Sequence, residues 1–412
     1  MDPMKALGHF QAMVDAYDAN GEDSAYQELE ASMLVFKVAD DAIHRGARSP
    51  QSVEFARKHI ARLENLDARR QLMGMLADTD PDTIAFPDRL YAEFLAYGIT
   101  KRALGQYGAA IVAFRLVTTA HCQDVDLRMK AHYHLAWALR LNRQFPEAID
   151  AYTTLSIMAS HLNEPRMVVE GRLGLAKVAI DQMDLERADV LLADVIRMAN
   201  DANQPPVAAK AYIDRARVAG IQGRHVDAIR YAHVALRDLD SSVSYERALA
   251  NIAYGLREVG RLESSAELAH WLSNRTRDKV QQAELYILLY HLAIDSHDWP
   301  GADQYRHGIA NVLITPDVEA QYRLAVTRHD AGLGEWRTAA AQANLMHEIA
   351  ATNHLPEATA SALRAMLMIQ ERRVPEIYEE HESARTPAEI ERAILPIEMD
   401  LLDIRQRDLQ SA

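Results

Sequence analysis

The chain has 412 residues, of which 49% are apolar and 25% are charged, and this is the balance of a folded protein rather than a disordered one. Its formal net charge of −14 repels nucleic acid and anionic lipid at long range, so we expect no nucleic acid and no membrane as a partner. The single cysteine, Cys122, excludes an internal disulfide and a cysteine-based zinc site. Because the sequence has neither a signal-peptide pattern nor an apolar run long enough to span a bilayer, we expect a cytoplasmic location.

Residues 1–80 have helical patterns but no internal repeat, and we expect them to form an N-terminal helical bundle that caps the region after it. Ser49 before Pro50 is typical of a helix start, because serine can cap the free backbone amides and proline suits the first turn. We expect this helix to run to about Leu66. Aspartate and proline residues at positions 78–88 then break the chain.

A sequence phrase recurs every 37 to 40 residues after this break. In its clearest copy, Gly105 is followed by Tyr107 and Ala110, and then by the large residue Phe114. The small residue of the phrase lets two antiparallel helices approach closely, and the glycine before it can end the first helix in left-handed backbone. These small residues, here called the anchors, are Ala110, Ala148, Ala188, Ala228, Ser265, Ala302 and Ala339. The repeat predicts about seven helix pairs.

Each anchor is preceded by a first helix in which a large apolar residue is followed by a small one, as in Leu135-Ala136-Trp137. Together with the Gly-x-Tyr-x-x-Ala phrase of the second helix, this pattern resembles the tetratricopeptide repeat (TPR) family. The repeats are longer than the family's usual length of about 34 residues, which makes them similar to the long-helix TPRs of bacterial signalling and regulatory proteins. The resemblance implies an all-α fold, a right-handed TPR-like α-solenoid over residues 90–373 with helical flanks on both sides.

Residues 374–412 form an acidic C-terminal segment in which we expect further helix. Thr386, Pro387 and Glu389 have the spacing of a capping box, in which the side chains at the two ends satisfy each other's backbone amides. The helix that starts there meets Pro396 and continues toward the C-terminus. The stretch before it, residues 374–384, is expected to be a linker.

The sequence contains no phosphate-binding loop, no nucleophile elbow and no zinc-protease helix. His132 and His134 are two positions apart on a helix, so their side chains diverge and cannot easily bind one metal ion. Asp303 and His307 share a helix face, but scattered surface histidines explain the pattern better. We therefore expect no metal and no cofactor. An enzyme is the least favoured function, because an open groove excludes little water from reacting groups.

In TPR proteins the first helices line a concave groove, and the resemblance implies the same arrangement here. Projection of these helices at 3.6 residues per turn places a basic and aromatic stripe on the groove face. Its members are Lys130, Tyr133, Trp137, Arg140, Lys177, Lys210, Asp214, Arg217, Arg247, Asn251, Tyr254, Arg257, His291 and Arg328. Arginine binds carboxylates through two hydrogen bonds, and asparagine can pair with an extended peptide backbone. The stripe predicts a groove for a protein or peptide, with an acidic or C-terminal segment as the expected ligand; the alternative is a solvated helix face.

Two functions follow from this pattern. The first is a TPR scaffold or adaptor that binds a partner protein or peptide in its concave groove. The alternative is a peptide-sensing TPR signalling regulator whose N-terminal helical bundle contacts a target protein. We find no helix-turn-helix in the sequence and no residue-level match to the N-terminal region of those regulators.

Overall fold

The computed structural model describes residues 23–45, 48–79, 87–118, 122, 124–239, 241–309, 315–375 and 386–411. Within these residues the chain contains 19 α-helices and no strand, which confirms the predicted all-α class. The helices are distributed over two compact units, Met1–Val178 and Ala179–Ala412. Residues 1–22 of the expected N-terminal bundle lie outside the described residues, as does nearly all of the expected linker.

The first unit contains a group of three helices followed by paired helices. The helices are α1 (Asp23–Arg45), α2 (Pro50–Arg62), α3 (Leu66–Asp78), α4 (Pro87–Ala103), α5 (Tyr107–Val117), α6 (Val125–Leu141), α7 (Phe145–His161) and α8 (Pro165–Asp181), the last of which crosses the unit boundary. Helix α1 packs on α4 through Phe36, whose ring centroid lies 5.1 Å from that of Phe94 and 5.8 Å from that of Tyr97. The group of three helices is therefore joined to the first helix pair by an aromatic core.

Helix α2 begins where the sequence predicts but ends earlier. The Ser49 side chain accepts a hydrogen bond from the Ser52 amide at 3.4 Å, as expected of a cap before proline. The expectation that the helix reaches about Leu66 is wrong, because Leu63 is extended and a separate helix follows. The Asn65 side chain caps that next helix by accepting from two backbone amides.

The second unit continues the helix pairs. After the end of α8 it contains α9 (Leu185–Asp201), α10 (Pro205–Ile221), α11 (His225–Ala235), α12 (Ser242–Glu258), α13 (Leu262–Ser273), α14 (Lys279–Asp295), α15 (Trp299–Ile309), α16 (Pro316–Gly332), α17 (Trp336–Thr352), α18 (Pro356–Gln370) and α19 (Pro387–Ser411). Here α10, α12, α14, α16 and α18 are the first helices. Each first helix is followed by an antiparallel second helix, except α18, after which the chain leaves the repeat.

The seven anchors have the positions that the repeat predicts. All of them are buried, with at most 4% of the residue surface exposed. The residue five positions before each anchor has a positive φ, between 57° and 80°. Glycine occupies four of these positions, and Arg143, Met183 and His297 occupy the other three. A left-handed residue thus ends each first helix whether or not it is glycine, so the turn geometry is imposed by the packing of the helix pair.

The C-terminal helix α19 begins with the predicted capping box. The Thr386 backbone amide donates to the Glu389 carboxylate at 2.7 Å, and the Glu389 amide donates to Thr386 Oγ1 at 3.4 Å. The helix continues through Pro396 without ending. The prediction of a helix in this region is therefore confirmed.

The sequence did not reveal where α19 packs. It lies against the second helices α11 and α13, and its Ile394, Ile397 and Leu401 are buried in their apolar core. Polar contacts flank this core, among them a hydrogen bond of 2.6 Å from the Ser264 hydroxyl to the Glu398 carboxylate. The C-terminal segment is thus a structural part of the second unit, attached to the side formed by the second helices.

Candidate functional site

The second unit contains a cavity of about 340 Å³ between its first helices. All five first helices contribute side chains to its wall, and α11 and α17 add a few more. Close packing of the helices shapes this wall. At Gly255, for example, a Cβ atom would lie 2.5 Å from Ile229 Cγ1, so glycine is needed for α12 to approach α11. The size is within the range of sites that bind small molecules or short segments of a partner.

Five residues of the predicted stripe line this cavity, and they are Arg217, Arg247, Asn251, Tyr254 and His291. Two of them connect neighbouring first helices. The amide nitrogen of Asn251 donates to the Ile213 carbonyl at 3.3 Å, and the Tyr254 hydroxyl donates to the Glu284 carbonyl at 2.9 Å. Part of the hydrogen-bonding capacity expected for a ligand is therefore used to hold α12 between α10 and α14.

Arg217 and Glu357 form an ion pair between the first and the last of the helices that line the cavity. Nη2 of Arg217 on α10 lies 3.5 Å from Oε2 of Glu357 on α18. Their side chains keep 50% and 40% of their surface exposed. Both groups can therefore exchange this contact for a ligand at small cost, because exposed ion pairs contribute little stability.

The cavity wall also contains carboxylates that the basic stripe did not include. They are Glu258, Glu284, Asp317 and Glu357. Burial, together with the nearby charge of Asp317, raises the pKa of Glu284 to about 7, although Arg247 and Arg217 oppose the shift. Glu284 is thus a lining carboxyl group that keeps its proton to a higher pH than a free glutamate does.

Gln281 lines the cavity with an amide that has no hydrogen-bond partner in the described part of the chain. The residue is only 4% exposed, and both its Oε1 and its Nε2 are buried. It lies on α14 one turn before Glu284. Buried amides are almost always hydrogen-bonded in folded proteins, so this one is suited to pair with a ligand.

Arg257 and Arg328 do not line the cavity, and this corrects their predicted placement on the groove face. Both donate to Asp295 at 2.6 Å, Arg257 through Nε and Arg328 through Nη2. Arg328 also donates to His291 Nδ1 at 2.9 Å and to the Pro375 carbonyl at 2.7 Å. The two guanidinium groups are buried and used internally, because Arg257 on α12 and Arg328 on α16 converge on Asp295 of the helix between them, α14.

This network keeps His291 neutral. Burial, followed by the nearby charges of Arg328 and Arg257, holds the pKa of His291 well below its ordinary value. Its Nδ1 accepts the hydrogen bond from Arg328, so its proton is on Nε2. His291 therefore contributes a neutral ring to the cavity wall.

The remaining members of the stripe do not line the cavity. Lys210 and Asp214 are on α10, and Asp214 is 7% exposed. In the first unit, the α6 residues are Lys130, Tyr133, Trp137 and Arg140, and Lys177 is on α8. Trp137 lies under the Arg102 guanidinium, whose carbon is 3.5 Å from the ring centroid, and its own ring centroid is 5.9 Å from that of Tyr133. These two aromatic side chains form a cluster of their own in the first unit.

The spacing of residues in the sequence could have identified two of the lining carboxylates, Glu284 and Asp317. Glu284 is seven residues before His291, and Asp317 is eleven residues before Arg328. These spacings place each carboxylate on the same helix face as a residue that was included. The predicted stripe did not include them because it was defined by basic and aromatic side chains. Gln281 is at the edge of that face, and burial alone identifies it.

No group of three or more His, Cys, Asp or Glu side chains in the described residues is arranged to bind a metal ion. His307 Nδ1 is hydrogen-bonded to the Asp303 carbonyl at 2.7 Å within its own helix. Among the helices described, none has a stretch long and apolar enough to traverse a bilayer.

Comparison with known proteins connects this fold to solved structures. No protein-family model matches the chain, and no curated protein matches its sequence. The Rap conjugation gene regulator of plasmid pLS20, solved with a Phr peptide, gives a TM-score of 0.53 at 16% identity over 88% of this chain and 100% of that one. The apo form of RapI gives a TM-score of 0.50 at 12% identity over 68% of this chain and 98% of that one. A tetratricopeptide repeat protein from Parabacteroides merdae gives a TM-score of 0.47 at 15% identity over 67% of this chain and 98% of that one.

At these identities the similarity establishes the fold alone. The chain has the helical-repeat fold of TPR proteins, and the α-solenoid expected from the repeat is confirmed. The Rap-type TPR regulators are among the proteins that share this fold.

Proposed function

We propose that the protein is a TPR scaffold or adaptor that binds a peptide, or an extended segment of a partner protein, in the cavity of its second unit. The observation that supports this proposal is the cavity of about 340 Å³ whose wall is built from all five first helices. Its wall combines charged groups, amides and an aromatic hydroxyl, a mixture suited to a polar, extended ligand. The expectation of a cytoplasmic, bacterial protein forms part of the same proposal.

Arg217 and Arg247 are the groups that we assign to carboxylates of the ligand. Both line the cavity and both are exposed. An acidic or C-terminal segment would place a carboxylate against these guanidinium groups, with Arg217 exchanging its contact with Glu357 for the ligand. Arg257 and Arg328 are excluded from this role because they are buried in the network around Asp295.

The test is peptide retention by purified protein. A mixture of random heptapeptides is incubated with the protein, and the retained peptides are identified by mass spectrometry after ultrafiltration. The variant Arg217→Glu with Arg247→Glu should retain far fewer peptides than the wild type. The matched control, Arg277→Glu with Arg337→Glu, has the same change in charge at exposed positions that do not line the cavity. Equal retention by all three proteins excludes the cavity as the binding site.

A peptide-sensing regulator is the second candidate function. One specific observation favours it: a solved structure of the same fold is the Rap conjugation gene regulator in complex with a Phr peptide. In this case the α1–α3 helices would contact a target protein, and the peptide would change that contact. Small-angle scattering separates the two functions, because a scaffold should keep its dimensions when a retained peptide is added, whereas a sensor should contract or twist.

A further inference from the structure

The part of the cavity formed by α14 and α16 differs in chemistry from the part that presents the two arginines. Glu284 and Asp317 line it with carboxylates, and Gln281 adds its buried amide. Two of the other lining carboxylates already have arginine partners, Glu258 with Arg257 and Glu357 with Arg217. Neither Glu284 nor Asp317 forms an ion pair with an arginine in the described part of the chain, so these two carboxylates can accept a cation from a ligand.

The Gln281 amide indicates which chemical group of a ligand would lie beside that cation. A glutamine amide presents one carbonyl acceptor and one NH2 donor, which match the N–H and C=O groups of a peptide bond. Both of its polar atoms are buried and make no hydrogen bond with any described residue. A buried amide in this state is costly to the protein unless a ligand pairs with it. Because Gln281 and Glu284 are three residues apart on one helix, their side chains are neighbours.

We propose that this end of the cavity is an ammonium subsite, in which Glu284 and Asp317 bind a primary ammonium group while Gln281 hydrogen-bonds a peptide group beside it. This inference rests on the proposed peptide-binding function and adds the chemistry of one end of the ligand. An ammonium group can come from the N-terminus of a peptide, where a peptide group is directly adjacent, or from a lysine side chain at the end of its four-carbon stem.

The raised pKa of Glu284 is consistent with this subsite. Without a cation in the cavity, burial and Asp317 favour the protonated carboxyl. An ammonium group beside it favours the carboxylate, so binding should release a proton when the solution pH is below about 7. The other charged groups that act on Glu284 are Arg217, Arg247 and Asp278.

The experiment compares three mixtures of random heptapeptides on the full-length protein. The first mixture has free N-termini and no lysine, the second has acetylated N-termini and contains lysine, and the third has acetylated N-termini and no lysine. We expect the wild type to retain the first or the second mixture at least about tenfold better than the third, which corresponds to about 1.4 kcal/mol. Preference for the first assigns the N-terminus, and preference for the second assigns lysine.

Two variants locate the subsite. Glu284→Gln keeps the shape of the side chain, and Gln281→Leu removes only the amide, so each should fold and should lose the preference for ammonium. Glu348→Gln, at an exposed position on α17, is the matched control and should keep it. If the preference survives Glu284→Gln, the subsite is not here.

Failure of this inference is distinguishable from failure of the proposed function. If the wild type retains all three mixtures equally, and Arg217→Glu with Arg247→Glu abolishes that retention, the ammonium subsite is overturned while peptide binding in the cavity stands. If the wild type retains none of the mixtures, both proposals are overturned.

Discussion

Arg217 on α10 lies 3.5 Å from Glu357 on α18, although 140 residues of chain separate them. The contact joins the first and last of the five first helices that line the cavity, so the two ends of the cavity wall meet at this ion pair. Because both side chains remain half-exposed, the pair is accessible to solvent and to a ligand.

The Arg217–Glu357 pair should contribute little to stability. We expect Arg217→Ala to change the free energy of unfolding by no more than about 1 kcal/mol, because exposed ion pairs gain little in water and cost side-chain freedom. Urea unfolding of the wild type and the variant measures this difference. A loss of several kcal/mol would show that the pair holds the unit together rather than bordering a binding site.

The buried network around Asp295 should behave in the opposite way. Arg328→Met removes the buried guanidinium that donates to Asp295, His291 and the Pro375 carbonyl, and leaves the partly buried Asp295 carboxylate with one partner fewer. We expect a cost of about 3–5 kcal/mol in the free energy of unfolding, measured by urea titration.

The control for that variant is Arg337→Met, at an exposed position on α17. Its effect should stay within about 0.5 kcal/mol, as expected for an exposed position without a specific contact. If Arg328→Met changed the free energy of unfolding as little as Arg337→Met does, the Asp295 network would not stabilise the second unit. Arg328 would then again be a candidate for ligand binding.

The repeat pattern was sufficient to predict the fold. The anchors, the capped starts of α2 and α19 and the helix pairs follow from local chemistry, namely small residues at close contacts and side chains that cap free amides. The packing of α19 on α11 and α13 could not be predicted in the same way. The apolar stripe of α19 consists of Ile394, Ile397 and Leu401. The sequence alone does not specify which apolar surface covers this stripe.

The candidate site could be predicted only in part. Projection of the helices located five lining residues, because their position on a helix face depends on local geometry alone. It could not show that Arg257 and Arg328 converge on Asp295, since that convergence depends on how successive repeats are placed in three dimensions. For the same reason the buried amide of Gln281 was not recognised from sequence.

The docked helix α19 provides a test of the C-terminal packing. Ile394→Ala should cost about 2–5 kcal/mol, because the side chain is fully buried against α11 and α13 and its loss leaves a cavity. The adjacent Leu395 is 48% exposed, so Leu395→Ala should change stability by no more than about 0.5 kcal/mol. Chemical denaturation compares the two. Similar values for the two variants would contradict the packing of α19 in the structure.

The left-handed turns between paired helices allow a comparison of two glycines in the first unit. Gly105 has φ of 76°, whereas Gly74 is within the helix α3 with open space where a Cβ would lie. We expect Gly105→Ala to destabilise by about 1–2 kcal/mol and Gly74→Ala to stabilise by up to about 1 kcal/mol. Thermal unfolding of the two variants should therefore show shifts of opposite sign. Shifts of the same sign would contradict a left-handed turn at Gly105.

The raised pKa of Glu284 predicts a pH-dependent stability of the unliganded protein. Its folded-state pKa of about 7 is above the ordinary value of 4.5, so between these values the unfolded chain loses a proton that the folded chain keeps. The contribution of Glu284 to the free energy of unfolding therefore falls as the pH rises from about 4.5 to 7, and stays at its lowest above pH 7.

Glu284→Gln should remove this loss. We expect the variant and the wild type to have similar melting temperatures near pH 4.5, and the variant to be more stable at pH 8. A stabilisation of about 1 kcal/mol corresponds to a shift of roughly 2–4 °C in a unit of this size. Glu348→Gln, at an exposed position, should show no such pH-dependent difference. If Glu284→Gln is no more stable than the wild type at pH 8, the carboxylate at this position is not destabilised by burial and Asp317.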